Sequence, residues 1–459
     1  MTSTAATVAV IGAGFAGSEA AWQLARRGIA VDVYEMRPRR MTEAHQSDGC
    51  AELVCSNSFK STNPENAHGL LKEELAAQGS LILEGAQACR VPAGQALAVD
   101  RELFSHWITQ RLEQHPLIRL RREEVRDPAL LLSAYDRVIL ASGPLTSPQL
   151  ADGLSRYVGA AYLYFYDAIA PVVSTDSINM DVAYRASRYG KGDADYLNCP
   201  LAEAQYLAFV EALLAAEKMP FHTFESLRPF EGCLPIEVLA ERGPLTLAFG
   251  PMKPVGLRDP RTGKNPFAVV QLRQENRQAT MYSMVGFQTK MTWPEQRRIF
   301  RTIPGLEQAE FARLGSMHRN TFLDSPRLLN EDLALKSEPR LYLAGQITGV
   351  EGYIESTAMG LYAAKRVALH LLGLALPRPG PCTMTGGLVR YVTSNAAGNF
   401  QPMNAAFGLL DPPARHMGRK EKRAHLARRA MEEIAALEAL ENPAPQQPLT
   451  TSGAALPEG

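Results

Sequence analysis

The 459-residue sequence lacks several features that mark common protein classes. Its six cysteines form no C-x-x-C pair, which argues against a structural zinc site and against a secreted disulfide scaffold. Basic and acidic residues balance at 48 each, so no net charge draws the chain to nucleic acid or membranes. No apolar run approaches the length that spans a bilayer. We therefore expect a soluble, cytoplasmic protein of about two or three domains without a metal.

The N-terminal segment contains the first positive signal. Residues 7–11 form an apolar run typical of a buried parallel strand, and residues 15–27 have helical composition that stops at Gly28. A second apolar strand is predicted over 29–34, and the acidic Glu35 follows it directly. This order of strand, glycines, helix, strand and acid is the dinucleotide-binding fingerprint in its full context.

Each part of this fingerprint has a physical purpose. Gly12 permits the tight turn, Gly14 lets backbone amides approach a pyrophosphate, and Gly17 lets the helix pack closely on the strand. The helix N-terminus contributes partial positive charge, and Glu35 accepts hydrogen bonds from ribose hydroxyls. A glycine-rich structural turn is the alternative interpretation, and the surrounding pattern disfavours it.

A second strand–glycine–helix element lies far downstream. A short apolar strand over 340–344 is followed by a Gly-Gln-Ile-Thr-Gly turn and a small-residue helix over 356–372. FAD enzymes use such a pair, in which the second helix points its positive end at the flavin ring. The chain has no second G-x-G-x-x-G, so NAD(P)H can only visit the flavin transiently. The predicted fold is therefore α/β, a Rossmann-like FAD-binding domain built from both ends of the chain around a smaller α+β insertion domain.

The expected domain bounds follow from changes in sequence texture. They are 1–167 for the first part of the FAD-binding domain, 168–325 for the insertion, 326–441 for the second part with a basic C-terminal helix, and 442–459 for a disordered tail.

Several longer motifs resemble those of the TrmFO family of folate- and FAD-dependent tRNA (uracil-5-)-methyltransferases. They are 10–22 (VIGAGFAGSEAAW), 52–60 (ELVCSNSFK), 66–75 (NAHGLLKEEL), 164–171 (YFYDAIAP), 230–237 (FEGCLPIE), 250–256 (GPMKPVG) and 344–356 (AGQITGVEGYIES). The resemblance covers the chain to about residue 420. It implies methylation of C5 of the T-loop uridine, position 54 of tRNA, with 5,10-methylenetetrahydrofolate as carbon donor and FAD reduced by NAD(P)H.

The resemblance also implies the residues of the site. The expected cofactor-binding residues are Gly12, Ala13, Gly14, Phe15, Ala16, Gly17, Glu35, Arg37, Gly345, Ile347, Gly352, Tyr353 and Ser356. The expected catalytic residues are Cys55 and Cys233. The implied chemistry needs a thiolate that adds to uracil C6, because this addition makes C5 nucleophilic, and a second group that removes the C5 proton. Cys233 on C6 and Cys55 beside the flavin is the preferred assignment, and the reverse stays open.

Three alternatives stand beside this interpretation. Cys50 and Cys55 have the spacing of a redox-active pair in FAD disulfide reductases, although the mid-chain nicotinamide fingerprint and C-terminal His-Glu pair of those enzymes are absent. An MnmG-like flavoprotein modifies the wobble uridine with the same folate, but is normally longer and has a helical C-terminal domain. An RNA-binding flavoprotein without catalysis is disfavoured by the two cysteine motifs.

The expected RNA contact is the basic segment 415–429, where Arg419, Lys420, Lys422 and Arg423 precede a run of acids in one predicted helix. Bases first and acids last oppose the helix macrodipole, which suggests that the bases serve a partner such as phosphate. A solvated helix face is the alternative. The oligomeric state does not follow from the sequence.

Overall fold

We analysed a computed structural model that describes residues 7–159, 162–190, 193–219, 234–375, 377–394 and 400–441. Its strands are β1 Thr7–Ile11, β2 Ala30–Tyr34, β3 Ser58–Ser61, β4 Arg90–Val91, β5 Ala96–Val99, β6 Ile118–Arg121, β7 Arg137–Leu140, β8 Tyr162–Ala168, β9 Val172–Ser174, β10 Tyr184–Ala186, β11 Tyr196–Leu201, β12 Ala268–Gln274, β13 Met281–Met284, β14 Phe311–Arg313, β15 Met317–Leu323 and β16 Leu341–Leu343.

The helices complete the described part of the fold. They are α1 Phe15–Ala25, α2 Ala67–Ala77, α3 Leu81–Ala88, α4 Arg101–Glu113, α5 Pro128–Leu132, α6 Pro148–Val158, α7 Glu203–Ala215, α8 Ile236–Glu241, α9 Thr246–Phe249, α10 Trp293–Phe300, α11 Ser325–Leu328, α12 Tyr353–Leu372, α13 Met384–Ser394 and α14 Arg419–Glu441.

A five-stranded parallel sheet with the order β16-β7-β1-β2-β6 forms the centre of the larger layer. The strands β1 and β7 are apolar runs whose residues are almost fully buried, as expected for parallel strands covered on both faces. The last strand in sequence, β16, pairs in parallel with β7. The sheet is thus built from both ends of the chain, which confirms the predicted Rossmann-like fold.

Helices α1 and α12 pack tightly against each other beside this sheet. Gly360 of α12 lies so close to α1 that a Cβ atom built on it would come within 2.1 Å of the Ala16 carbonyl oxygen. Only glycine permits this backbone approach. The two predicted nucleotide-binding elements, far apart in sequence, are therefore held together by direct helix contact.

A second layer surrounds a six-stranded antiparallel sheet with the order β10-β11-β12-β13-β9-β14. It has its own apolar core, in which α7, α8 and α10 contribute buried side chains such as Phe209 and Phe300. Strands β8 and β15 pair in antiparallel fashion over their whole length, so the chain leaves the first layer and returns to it along one ribbon. The bounds 168 and 325 of the insertion domain stay a prediction.

Several details differ from the sequence prediction. Helix α12 begins at Tyr353 rather than at 356. Helices α3 and α13 were not predicted, because α3 spans only eight residues and α13 contains two adjacent glycines, which disfavour a helix.

Two general observations concern the described residues only. None of their helices is long and apolar enough to cross a lipid bilayer. Within the same ranges, no three His, Cys, Asp or Glu side chains are grouped as metal ligands. The predicted disordered tail, 442–459, lies outside the described residues.

The Gly360 contact gives a stability prediction. Gly360→Ala should lower the free energy of unfolding by about 2 kcal/mol because its Cβ would overlap the Ala16 carbonyl, even though alanine is the better helix former. The measurement is the thermal unfolding midpoint. Gly408→Ala is the control, since a Cβ atom there meets nothing within 4 Å. Equal midpoints for both variants would contradict the close packing.

Candidate active site

A cavity opens at the carboxyl end of the parallel sheet, where ligands bind in folds of this class. Of the residues predicted to bind a cofactor, Gly12, Gly14, Phe15, Ala16, Glu35, Arg37, Gly345, Tyr353 and Ser356 line it. The turn that follows β7, residues 142–144, lines it as well. Ala13, Gly17 and Ile347 do not line the cavity, and Gly352 lines the neighbouring one.

The three fingerprint glycines have different surroundings. Gly12 has φ +96°, and a Cβ atom on it would lie 2.6 Å from the Ala141 carbonyl oxygen. A Cβ atom on Gly17 would lie 1.8 Å from the Gly12 carbonyl oxygen, so this glycine fits the helix to the strand. Gly14 has open space where its Cβ would be. Gly12 therefore permits the turn and Gly17 the close contact of helix and strand, while Gly14 leaves room for a ligand beside the helix.

The N-terminus of α1 is open to the cavity. Gly14 is its N-cap residue, and no side chain caps the first turn. Amide groups at an uncapped helix start, together with the helix dipole, favour an anion such as a pyrophosphate.

Glu35 lines this cavity beside the glycine turn and is almost completely buried. Its Oε2 accepts from the Ala13 amide at 3.0 Å, and its Oε1 accepts from Arg37 Nε at 2.9 Å. Burial alone would raise the pKa of Glu35, but the hydrogen bond and charge of Arg37 outweigh it and lower this pKa. Arg37 also contacts Glu52 at 3.0 Å. The ionised carboxylate is thus fixed as an acceptor at the cavity wall, the arrangement that ribose hydroxyls require.

The N-terminus of α12, which lies far from α1 in the sequence, also reaches this cavity. Its N-cap residue Gly352 has φ +119°, and no side chain caps this helix either. Gly345 has φ +81°, and a Cβ atom on it would lie 2.7 Å from the Ala16 Cβ. Ile347 is fully buried and supports the turn from inside. Two uncapped helix starts therefore face one cavity.

A second cavity adjoins the first, and Cys55 is one of its lining residues. The two cavities share five lining residues, namely Val54, Pro144, Leu145, Gln346 and Tyr353. Tyr353 stands at the boundary, where its ring stacks on Phe15 with a centroid distance of 4.5 Å. A ligand that fills the first cavity can therefore present one end to Cys55.

The backbone around Cys55 is held on two sides. The amides of Cys55 and Ser56 donate to Tyr353 Oη at 2.9 and 3.2 Å. The Cys55 carbonyl oxygen accepts from Arg101 at 3.1 Å and from Arg313 at 3.2 Å. Burial raises the pKa of Tyr353 far above its usual range, so its phenol stays protonated. These contacts fix the position of the Cys55 loop.

The two arginines connect this loop to the second layer. Arg101 Nε donates to Glu275 Oε2 at 2.5 Å, just beyond β12. Arg313 belongs to β14, and burial and then the Arg101 charge lower its pKa to about 10. Sequence inspection missed Arg101, Glu275 and Arg313 because isolated charged residues in different elements carry no local pattern.

A polar cluster in the second cavity was missed as well. Lys60 Nζ lies 3.0 Å from His68 Nε2, which lies 3.3 Å from Glu355 Oε1. Lys60 has φ +64°, a strained conformation for a residue other than glycine. All three residues belong to motifs quoted for the family resemblance, and this was the one signal that could have identified them.

The other predicted site residues do not line either cavity or lie outside the described residues. Cys50 is fully buried, and burial raises the pKa of its thiol to about 11, which disfavours a reactive thiolate. It forms no disulfide with Cys55. Cys233 lies outside the described residues. Arg419, Lys420 and Lys422 are exposed on α14, where Arg423 is half-buried, and all four lie away from both cavities.

These features define a class, namely α/β proteins with a Rossmann-like FAD-binding fold and a second layer that borders the neighbouring cavity through Ile169 and Gln288. The solved structure of Aquifex aeolicus GidA has this fold, with a TM-score of 0.69 and 16% identity over 95% of this chain and 74% of that chain. The family model "Glucose inhibited division protein A" matches residues 7–375.

Curated relatives define the family more narrowly. The methylenetetrahydrofolate--tRNA-(uracil-5-)-methyltransferase TrmFO of Geobacter sulfurreducens is 57% identical over 93% of this chain and 98% of its own length. The enzyme of the same name from Geotalea uraniireducens is 59% identical over 93% of this chain and 97% of its own. The chain belongs to the TrmFO family. This membership favours the TrmFO interpretation over the MnmG-like and disulfide-reductase alternatives.

The Arg101–Glu275 pair yields a prediction about how the layers are joined. Arg101→Met and Glu275→Leu should each lower stability by about 3–5 kcal/mol, because each leaves a buried charge unpaired. The double variant should recover much of this loss, because it leaves neither charge. Thermal and urea unfolding of the four proteins measure the coupling. Losses that simply add would show that the pair is not coupled.

Proposed function

We propose that this protein methylates C5 of the T-loop uridine, position 54, of tRNA, with 5,10-methylenetetrahydrofolate as carbon donor and FAD reduced by NAD(P)H. The observation that carries the proposal is the position of Cys55 where the dinucleotide cavity meets a second cavity. The names of the relatives give the same donor and the same acceptor base. We place this activity in the cytoplasm, where tRNA and folates are available.

The first cavity fits FAD by the chemistry of its walls. Two uncapped helix starts suit a pyrophosphate and the pyrimidine edge of a flavin, while Glu35 suits a ribose. The open space beside Gly14 lets a phosphate approach the backbone. The reduced flavin supplies the electrons that turn a transferred one-carbon unit into a methyl group.

The chain's own residues then have to activate the uracil. A thiolate that adds to C6 makes C5 a nucleophile toward the one-carbon unit, and a base removes the C5 proton so that the thiolate can leave. We assign C6 addition to Cys233 and place Cys55 beside the flavin. The hydrogen bonds that fix the Cys55 backbone support the assignment of Cys55, because a thiol held at a defined position can accept and return a proton in each reaction cycle. The role of Cys233 rests on its motif alone.

Helix α14 is the proposed tRNA contact. Its first half exposes Arg419, Lys420 and Lys422. Its acids are used inside the protein, where Glu438 and Glu441 pair with Lys365 and Glu441 also pairs with Arg27 at 2.7 Å. Two other acids of the helix pair with bases, Glu421 with Arg415 and Glu432 with Arg428. Within the described residues no ion pair engages Arg419, Lys420 or Lys422, which favours a phosphate partner.

Nucleoside analysis tests the proposed function. Flavin-loaded protein, unmodified tRNA, NADPH and methylene-labelled methylenetetrahydrofolate should give labelled 5-methyluridine at position 54. Cys55→Ala and Cys233→Ala should each lower the rate by about 10³-fold or more, because a reacting group is lost, whereas Cys50→Ala should keep activity. RNA with 5-fluorouridine should trap a covalent adduct in the wild type and not in Cys233→Ala.

Two results would contradict this assignment. Absence of labelled 5-methyluridine from protein with a full complement of FAD would refute the function. Activity that needs Cys50 but not Cys233 would instead favour the disulfide reductase.

Charge reversal on α14 tests the RNA contact. The combined Arg419→Glu, Lys422→Glu and Arg423→Glu variant should bind tRNA more weakly, and the slope of log K against log salt should fall in magnitude by about 2–3. Arg297→Glu, Arg298→Glu and Arg327→Glu together make the same change in net charge elsewhere on the exposed surface and serve as the control. An equal loss of affinity in both sets would mean that net charge, and not α14, determines binding.

A further inference from the structure

An excess of positive charge lies at the loop that carries Cys55. Arg101 of α4 donates to the Leu53 carbonyl oxygen at 2.5 Å and to the Cys55 carbonyl oxygen at 3.1 Å. Arg313 of β14 donates to the Val54 carbonyl oxygen at 3.4 Å and to the same Cys55 oxygen at 3.2 Å. Two guanidinium groups, one from each layer, therefore converge on one residue.

The two positive charges are compensated unequally. Glu275 pairs with Arg101, with 2.5 Å between Oε2 and Nε. Within the described residues no carboxylate forms an ion pair with Arg313, and its Nε atom is buried without a hydrogen-bond partner. Burial and the Arg101 charge lower the pKa of Arg313 to about 10, so this side chain is still positive near neutral pH. One positive charge at the Cys55 loop is thus left without a counter-ion.

The acidic group beside this charge is the Cys55 thiol. A buried charge without a counter-ion costs free energy, and an anion nearby recovers part of it. The Tyr353 phenol also adjoins the loop, but burial raises its pKa far above the usual range, so it stays neutral. Burial lowers the pKa of Arg101 and of Arg313, whereas a negative charge on Cys55 raises it in both. Because such coupling is mutual, the two arginines favour the thiolate.

The remaining charges near Cys55 have partners of their own. Glu52, on the same loop, pairs with Arg37. The other charged residues that line the second cavity are Lys60, Glu351 and Glu355. The first acts in the same direction as the arginines, and the two carboxylates receive hydrogen bonds from Gln346 and His68 respectively. The guanidinium groups contact Cys55 itself, and the energy between charges falls with distance, so we expect their effect on the thiol to dominate.

We propose that Arg313, together with Arg101, keeps Cys55 as a thiolate at neutral pH and thereby makes it the base that removes the C5 proton of uracil. In this step the C5–H bond breaks and an S–H bond forms on Cys55. The electron pair of the C5–H bond restores the C5–C6 double bond and expels the thiolate that had added to C6, and Cys55 then returns the proton to solvent. Arg313 acts through Cys55 and is therefore a positioning residue. The proton transfer rests on the proposed function, whereas the thiolate can be tested without it.

The pH dependence of Cys55 alkylation tests the thiolate. Flavin-loaded protein is treated with iodoacetamide from about pH 5.5 to about pH 9.5, a range that includes the ordinary thiol pKa of about 8.5. Mass spectrometry follows the modification of Cys55, which lines the second cavity and is partly exposed. The midpoint of the wild-type rate should lie about one pH unit or more below the ordinary value, the shift that a neighbouring opposite charge produces.

Four variants separate the charge of the arginine from its shape. Arg313→Met should raise the midpoint by about one pH unit and slow alkylation at neutral pH about tenfold, whereas Arg313→Lys keeps the charge and should keep the midpoint. Glu275→Gln removes the compensating carboxylate and should move the midpoint in the opposite direction, to lower pH. Arg298→Met is the control, because it removes an exposed arginine of the second layer that pairs with Glu295. It should leave the midpoint unchanged.

Three results would overturn the proposal. The first is a wild-type midpoint at or above about 8.5, a measurement that needs no variant. The second is a midpoint that Arg313→Met leaves unchanged, or that Arg313→Met and Arg313→Lys raise equally, which would assign Arg313 to the shape of the loop. The third concerns the base, since the acidic limb of kcat for 5-methyluridine should move with the alkylation midpoint in each variant, and a limb that does not move refutes this role. Alkylation needs neither tRNA nor folate, so its failure leaves the proposed function standing.

Discussion

The close contact between α1 and α12 is the constraint on which the site depends. Ala16 lies against Gly360 and Gly345, positions where a Cβ atom would collide with it. Strands β1 and β16, which come first and last in the sequence of the parallel sheet, are followed by α1 and α12. Because these two helices pack closely, both begin at the same cavity. If the helices were further apart, their two N-termini could not act on one ligand. Glycine and alanine at these positions are therefore needed because they let α1 and α12 approach closely, as well as for the turns that they permit.

The second layer acts on the site through charge rather than through apolar packing. Arg101 and Arg313 both donate to the Cys55 carbonyl oxygen, and Glu275, which directly follows β12 of the antiparallel sheet, compensates the charge of Arg101. A buried pair of this kind adds little net stability compared with apolar residues, but loss of one partner is expensive. It therefore fixes the relation between the two layers. The position of the cysteine loop follows from the fold of residues more than a hundred positions away.

Helix α14 shows why its charge order opposes the macrodipole. A misplaced surface charge costs about 0.3–1 kcal/mol at low ionic strength, whereas charge-assisted hydrogen bonds contribute about 1.5–3 kcal/mol each. Two acids of α14 make such charge-assisted hydrogen bonds. Glu441 contacts Arg27 and Lys365, and Glu433 accepts from the Gly380 amide. The acids stand last because that end of the helix docks on α1 and α12. The bases stand first because that end is exposed.

The sequence could predict those features of the site whose residues lie close together along the chain, and it could not predict those whose residues meet only in the fold. The fingerprint from Gly12 to Glu35 is contiguous, so its strands, its helix and its place at the cavity followed from composition and spacing. The contacts of Glu355 are not local, because His68 and Ala405 belong to other helices and loops and meet it only once α2 and α12 have packed. No hydrophobic period marks such a residue, since the whole of α12 from Ile354 to Leu369 is buried and its polar members are indistinguishable from core positions. A buried acid inside an apolar helix costs free energy unless it has partners. That cost implies that Glu355 has partners, but only the folded chain shows that they are His68 and the Ala405 amide.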